Sequence, residues 1–146
     1  MSDLAETMSA YAEKAAQLAR GRFRIELDFS PESVQRIEEI ALELHRRRER
    51  RLHADESGDP SPDWDPSEEE QYPELALALG AYVGEVIRRK WGGAWENPGG
   101  GARLRVGDQD LNPCGLAYFR ITQGHDNLWE YFQRVSAKLK AASESG

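Results

Sequence analysis

The sequence predicts an α+β domain with a small, mostly antiparallel sheet of three to four strands, covered on one side by four to five helices. Apolar residues recur at helical spacing in several segments, whereas residues 22–29 alternate strictly between polar and apolar. Residues 72–91 are apolar over more than half of a helical circumference, and a double glycine and a tryptophan follow them. With 146 residues, the chain 1–146 has the length of a single domain.

The first two elements differ in their apolar period. Residues 3–20 carry one narrow apolar stripe at helical spacing, which predicts a helix that Gly21 ends. Phe23–Phe29 places an apolar residue at every second position, with charged residues between them. That alternation is typical of a half-buried strand with one face on the core and one in water.

A second helix and an acidic segment come next. Ser30-Pro31-Glu32 has the capping serine, first-turn proline and acidic residue of a helix start, and the helix closes in the arginine-rich run 46–51. Residues 53–71 hold eight acids and three prolines but no lysine or arginine, which predicts an exposed acidic loop. Trp64 is its only large apolar residue, and we expect the arginine run and the loop to neutralise each other.

The helix over about 72–91 is predicted to be the centre of the core. Ala76, Gly80 and Gly84 are spaced four residues apart, so another backbone or side chain can approach this face closely. The polar arc of the same helix carries Glu85, Arg88 and Arg89, with Glu85 and Arg89 spaced as an i, i+4 pair. Two interpretations stay open for this arc: a solvated face, or the polar lining of a groove near Trp95.

The remaining elements are short strands and two helices. Strands are predicted at Ala94–Glu96 and Ala102–Val106, with Gln109–Leu111 as a further candidate. Charged residues alternate with apolar ones in the predicted strands, which predicts that the outer face of the sheet is exposed to solvent. Residues 113–123 fit a helix opened by Asn112-Pro113, but their aromatic and β-branched residues also permit a strand. A last helix begins near Asp126.

Composition excludes several function classes. The net charge of −7 and the pI of about 5.0 argue against a nucleic-acid surface, even with the arginine run. No apolar run approaches the ~20 residues that span a bilayer, and the N-terminus has no pattern of a signal peptide. The single cysteine, Cys114, excludes an intramolecular disulfide and suits the cytoplasm.

The residue types that carry chemistry do not form a catalytic pattern. His45 and His53 lack the spacing of metal ligands, and His125 lies between a glycine and a helix cap, so no metal site is predicted. No histidine lies near Cys114 in sequence to activate it, and we expect that thiol to be buried. The glycine-rich turn 97–101 lacks the Gly-Lys-Ser/Thr ending of a phosphate loop. We therefore expect no catalytic residues and no cofactor.

The second half of the chain resembles a family of small bacterial α+β domains of unknown function. The resemblance rests on Leu-Gly-x-Tyr-x-Gly-Glu-x-x-x-Arg at 79–89, on Gly-Gly-x-Trp at 92–95, and on Asn112-Pro113 with the residues after it. The strand-to-helix segment 27–33 is also similar. Cys114 stands where such domains often have a bulky apolar residue. The resemblance implies the fold, carries no catalytic residues, and suggests for some relatives an immunity-type role in binding a toxin.

These observations favour a non-enzymatic, cytoplasmic protein-interaction module that binds a protein partner or a second copy of itself. The alternatives are an enzyme or small-ligand binder with a cleft near Glu85 and Arg88, which would also draw on His125 or Cys114, and an immunity-type protein that binds a toxin partner. The candidate partner-binding residues are Trp64, Glu85, Arg88, Arg89 and Trp95.

Overall fold

The computed structural model describes residues 4–57, 66–97, 101–125 and 127–145. In this part of the chain, five α-helices and one three-stranded antiparallel sheet confirm the predicted α+β class. The elements are α1 (Leu4–Leu18), α2 (Val34–Ser57), α3 (Pro66–Trp91), β1 (Ala94–Glu96), β2 (Arg103–Val106), β3 (Gln109–Leu111), α4 (Pro113–Gln123) and α5 (Leu128–Ser145). A π-helical turn, Ala19–Phe23, extends α1, and a 3₁₀ turn, Pro31–Ser33, precedes α2.

Helix α3 is the centre of the fold and contacts the four other α-helices and strand β2. A Cβ added at Gly80 would lie 2.3 Å from the Cα of Cys114, so α4 begins directly against the backbone of α3. A Cβ added at Gly84 would lie 2.3 Å from the indole ring of Trp95. The prediction that α3 packs closely through its small residues is therefore confirmed.

The sheet is a meander in the order β1-β2-β3. The register places Trp95 opposite Leu104, and Leu104 opposite Leu111, so that these three buried side chains share the core face. On the other face, Arg103 donates from Nε and Nη2 to the two carboxylate oxygens of Asp110, each at 3.2 Å. The predicted wet face is confirmed by this exposed ion pair, because both side chains remain in contact with water.

The prediction of a strand at Phe23–Phe29 is wrong. Gly21 does not end the first helix, which continues as a π-helical turn to Phe23. Arg24 (φ 58°) and Phe29 (φ 61°) then adopt left-handed conformations, which turn the chain at both ends of the segment. Residues 24–28 join no sheet of the described residues, although their burial alternates as the sequence predicted.

The helices extend further into the acidic segment 53–71 than the predicted loop allows. Helix α2 continues to Ser57, and α3 begins at Pro66, ahead of the expected start near Tyr72. Pro73 lies inside α3, although it has no N–H to donate to the preceding turn. Residues 58–65, with the candidate Trp64, lie outside the described residues.

Residues 113–123 form a helix, so the alternative of a strand is wrong. The side chain of Asn112 accepts a hydrogen bond from the Gly115 N–H at 3.1 Å and caps the first turn. At the other end, Gly124 adopts a left-handed conformation (φ 76°), and its N–H donates to the Arg120 carbonyl. Local capping thus outweighs the strand preference of the aromatic residues within α4.

Polar side chains of α2 fasten the C-terminal end of α4. The Nδ1 of His45 donates to the Ile121 carbonyl (2.9 Å), and Arg48 donates to the Thr122 carbonyl (3.0 Å). The largely buried Glu38 pairs with Arg120 at 2.7 Å and also accepts a hydrogen bond from the Leu128 N–H. These bonds join α2, α4 and the start of α5, and they give His45 a structural role.

Candidate functional site

The structure brings three of the five predicted partner-binding residues together, but not on an open surface. Glu85 is fully buried, and its carboxylate accepts hydrogen bonds from Arg88 Nε (2.6 Å), Arg88 Nη2 (3.1 Å) and Trp95 Nε1 (3.0 Å). Trp95 is itself only 7% exposed. The interpretation of Glu85 as part of a solvated face is therefore wrong, and its partner is Arg88 rather than Arg89.

The protonation of Glu85 is set by two opposing effects. Burial acts to raise the pKa of this carboxyl, because it disfavours the charged form. The hydrogen bonds from Arg88 and Trp95 and the positive charge of Arg88 outweigh burial, so the net pKa is lowered. Glu85 is thus a charged, satisfied carboxylate, and it has no proton to give in acid–base chemistry at neutral pH.

Arg89 lies at a separate, exposed position beyond this network. Its guanidinium stands 3.9 Å from the ring centre of Phe29, which in turn stacks on Tyr82 at 4.5 Å. The hydroxyl of Tyr82 accepts a hydrogen bond from the Phe29 N–H (2.8 Å), which holds Phe29 in its left-handed conformation. Arg89 therefore covers the partly exposed ring of Phe29, which stacks on the buried Tyr82.

The groups expected to carry chemistry do not converge. Cys114 lies in the lining of a surface groove that is described below. Neither the exposed His125 nor the Glu85–Arg88 pair is among the residues that line this groove. The side chain of His53 lies outside the described residues. Across the described part of the chain, no group of three or more His, Cys, Asp or Glu side chains could hold a metal ion.

Cys114 is a poor nucleophile in its place at the start of α4. Burial raises the pKa of its thiol to about 12, and its Sγ contacts the Leu77 carbonyl at 3.6 Å. The position of Cys114 at the N-terminus of α4 does not offset the effect of burial on its pKa. A thiol with such a pKa is almost entirely protonated at pH 8, so the protein holds it in an unreactive form.

We expect a disulfide thiol reagent at pH 8 to modify the native protein more than about a hundredfold more slowly than the denaturant-unfolded chain. The assay is unambiguous because Cys114 is the only cysteine. Glutathione under each solvent condition serves as the reference for intrinsic reagent reactivity. Cys114 is partly buried, so native modification at the rate of the unfolded chain would contradict the raised pKa of its thiol.

A groove of about 500 Å³ lies between α1, α3, the start of α4 and the turn before β2. We call it the α1–α4 groove. Helix α1 contributes Met8 and Tyr11, α3 contributes Leu77, and α4 contributes Cys114 and Tyr118. None of its lining residues carries a charge, in a chain of which 31% is charged.

Two aromatic residues extend this surface along α4. Tyr118 is 40% exposed and Phe119 is 51% exposed, and they are the only large hydrophobic residues exposed to this degree in the described structure. Their rings meet edge to face, with centroids 6.1 Å apart. Tyr118 also lines the groove, so the aromatic pair and the groove form one continuous apolar surface.

This surface was not predicted from the sequence, because partner binding was assigned to Trp64, Trp95 and the charged arc of α3. A signal was present in α4, where Leu116, Tyr118, Phe119 and Ile121 occupy more of the helix than one core-facing stripe requires. Ile121 is fully buried, whereas Phe119 faces water. Neighbouring apolar residues beyond the core stripe of an amphipathic helix form a contiguous exposed patch, and such a patch indicates a contact site.

No protein-family model, curated protein or solved structure matches this chain. Function is therefore inferred from the chemistry of these surfaces. Among the helices of the described residues, none is both long enough and apolar enough to cross a bilayer.

Proposed function

We propose that this protein is a non-enzymatic interaction module that binds an apolar segment of a partner protein in the α1–α4 groove. The single observation that carries the proposal is the continuity of an uncharged groove of about 500 Å³ with the exposed pair Tyr118 and Phe119. Cores of protein interfaces are depleted in charge and enriched in aromatic residues, and this surface has both properties.

The lining restricts the chemistry of the partner. A charged side chain placed in this groove would lose water and meet no countercharge, so its burial would be unfavourable. An aliphatic or aromatic side chain would instead fill space between Met8, Tyr11 and Leu77. The partner segment is therefore expected to present an uncharged, apolar anchor, with Phe119 packing beside it.

The competing prediction of an enzyme or small-ligand site near Glu85 and Arg88 has weaker support. Arg88 and Trp95 occupy the hydrogen-bonding positions of the Glu85 carboxylate, which leaves that carboxylate fully buried. The immunity-type role is supported only by the family resemblance, and a toxin would be one partner with the required chemistry. A cytoplasmic location is part of the proposal and is supported by the single cysteine.

The proposal is tested by placing a photo-crosslinking amino acid at position 119 and, separately, at the exposed position 133 of α5. In lysate from the source cell, we expect a discrete crosslinked protein at position 119 that is missing at position 133. Its affinity for the purified chain should fall about thirtyfold in Tyr118→Ser/Phe119→Ser, because buried aromatic anchors contribute about 2 kcal/mol.

The control is Gln133→Ser/Ala137→Ser, which likewise introduces two serines at exposed helical positions, but on α5 and outside the groove. We expect this variant to bind as tightly as the wild type. Identical crosslinking patterns at positions 119 and 133, or equal affinity losses in the two double variants, would show that the groove is not the binding site.

A further inference from the structure

The segment 24–28 has the side-chain pattern of a strand but no neighbouring strand among the described residues, and we call it the strap. Arg24, Glu26 and Asp28 are exposed, whereas Ile25 and Leu27 are partly buried against the core. In an extended chain, alternate residues also direct their backbone N–H and C=O groups to opposite edges. From Ile25 to Asp28 the strap therefore has one edge for the odd-numbered residues and another for the even-numbered ones, whereas the left-handed Arg24 lies at the turn that begins it.

The odd-numbered edge is used within the protein. The N–H of Ile25 donates to the Ala19 carbonyl at 3.0 Å, and the N–H of Phe29 donates to the Tyr82 hydroxyl at 2.8 Å. These two bonds attach the edge to the end of α1 and to α3. The N–H groups on this edge thus attach the backbone of the strap to the fold, and the N–H of Arg24 also donates to the Ala19 carbonyl.

From Glu26 to Asp28, the even-numbered edge has no backbone partner among the described residues. The N–H of Arg24 donates to the Ala19 carbonyl. The backbone N–H and C=O groups of Glu26 and Asp28, and the carbonyl of Arg24, form no hydrogen bond with another described residue, although the Asp28 N–H contacts its own carboxylate. Such a row of backbone donors and acceptors on an exposed segment is the template on which another strand adds. The side chains of the same residues are exposed, so solvent reaches this edge.

We propose that this edge pairs in antiparallel register with the strap of a second copy of the chain. The sequence Arg24-Ile25-Glu26-Leu27-Asp28 is complementary to itself when read in the opposite direction about Glu26. That register places Ile25 opposite Leu27 of the partner subunit, and it brings Arg24, at the turn that begins the strap, next to the partner's Asp28. Opposite charges and apolar side chains across two strands both stabilise the pairing.

In this register the two Glu26 residues lie opposite each other, which brings two carboxylates together. An arginine of the same chain offsets the repulsion between them. Arg20 donates from Nε and Nη2 to the two oxygens of Glu26, each at 3.1 Å. Each Glu26 therefore carries its own countercharge into the contact. The backbone groups of the two Glu26 residues can then exchange reciprocal hydrogen bonds, and each Asp28 N–H can donate to the partner's Arg24 carbonyl.

This self-association is independent of the proposed partner site. The strap shares no residue with the lining of the α1–α4 groove. A second copy is favoured over an unrelated peptide as the occupant of this edge. When two straps run antiparallel, the positive residue at one end of each strap lies next to the negative residue at the end of the other. The proposal of partner binding in the groove and the proposal of self-association through the strap can therefore be tested separately.

The test is the oligomeric state of the full chain by sedimentation velocity across a concentration series. For the wild type we expect a concentration-dependent doubling of the 16.5 kDa mass. Arg24→Glu and Asp28→Lys should each be monomeric when alone, because each variant places like charges opposite one another. A mixture of the two variants should restore the dimer, since positions 24 and 28 then carry opposite charges at both ends of the register.

The controls are Arg46→Glu and Glu6→Lys, which make the same kind of charge reversal at exposed positions outside the strap and should leave the dimer intact. Amide hydrogen exchange adds a measurement without variants: protection of Glu26 and Asp28 should rise with protein concentration. A wild type that stays monomeric up to millimolar concentration overturns the proposal. So does a dimer insensitive to both strap variants, or a mixture that stays monomeric.

Discussion

Replacing Gly80 by alanine should destabilise the fold by about 3 kcal/mol, the upper end of the range for overpacked cores. The added Cβ would lie 2.3 Å from Cys114 Cα and 2.8 Å from the carbonyl carbon of Pro113. Because these contacts are to backbone atoms, no side-chain rotation can relieve them, and α4 must move away from α3. The gain in helix propensity, about 1 kcal/mol, offsets only part of this cost.

The free energy of unfolding from urea titrations measures this effect. Gly21→Ala is the matched control, because nothing lies within 4 Å of a Cβ at that position and its backbone is not left-handed. We expect Gly21→Ala to be neutral or slightly stabilising. Equal changes in the two variants would mean that α4 does not begin against Gly80.

Arg88→Met should destabilise the protein by about 2 kcal/mol at pH 7. The variant leaves the carboxylate of Glu85 fully buried with Trp95 Nε1 as its remaining hydrogen-bond donor. Removing one partner of a fully buried ion pair costs about 3–5 kcal/mol. We place the expected loss below that range because the Arg88 side chain is 37% exposed, so the native pair is partly screened by solvent.

The pH dependence of the loss identifies its cause. In the wild type the pKa of Glu85 lies below its value in the unfolded chain, so its ionisation stabilises the fold above the unfolded pKa. That contribution disappears as the pH falls through the folded pKa. Without Arg88, burial dominates and raises the pKa of Glu85, so the deficit of Arg88→Met should shrink as the pH is lowered towards 4 and Glu85 becomes neutral.

Urea titrations of wild type and variant at pH 7 and at pH 4 measure this difference. Arg103→Met removes another arginine from a two-bond pair with a carboxylate, but that pair is exposed on the outer sheet face. We expect Arg103→Met to cost less than about 1 kcal/mol. A loss in Arg88→Met that is independent of pH would indicate that only aliphatic packing of Arg88 was removed.

The elements that the sequence predicted well are those specified by local chemistry. Alternating apolar residues identified β2, and Gly92-Gly93 marked the end of α3. Asn112 and Gly124 identified the two ends of α4, because each contributes a cap within its own neighbourhood. Close packing through Gly80 was also predictable, since a side-chain-free position on an apolar face is useful mainly where another chain segment approaches it.

The strap shows why the strand prediction failed. Its alternation was real, and the burial of Ile25 and Leu27 follows it. A strand, however, needs a second strand at hydrogen-bonding distance. Left-handed residues turn the chain at Arg24 and Phe29, and no strand of the described residues pairs with the segment. The period of the apolar residues predicts which side chains face the core, but it does not predict whether a second strand lies beside the backbone.

Glu85 shows a second limit of prediction from the sequence, which is that the exposure of a polar helix face cannot be inferred from the helix alone. A helical wheel grouped it with Arg88 and Arg89, and from that grouping a solvated face was the natural interpretation. The indole of Trp95 instead lies against Gly84 and covers the carboxylate. No pattern within α3 contains that information, because the covering group belongs to β1 and reaches the helix only after the hairpin has folded back.

The sequence by itself determined the α+β class, the central helix, the short strands with their wet outer face, and the caps of α4. Each of these follows from residues close together in the chain, where side-chain period and capping chemistry act directly. Only the tertiary structure decided the α1–α4 groove and the unpaired edge of the strap. The groove depends on how Tyr11, Leu77 and Tyr118 are brought together from three helices, and the edge depends on hydrogen bonds that no local pattern specifies.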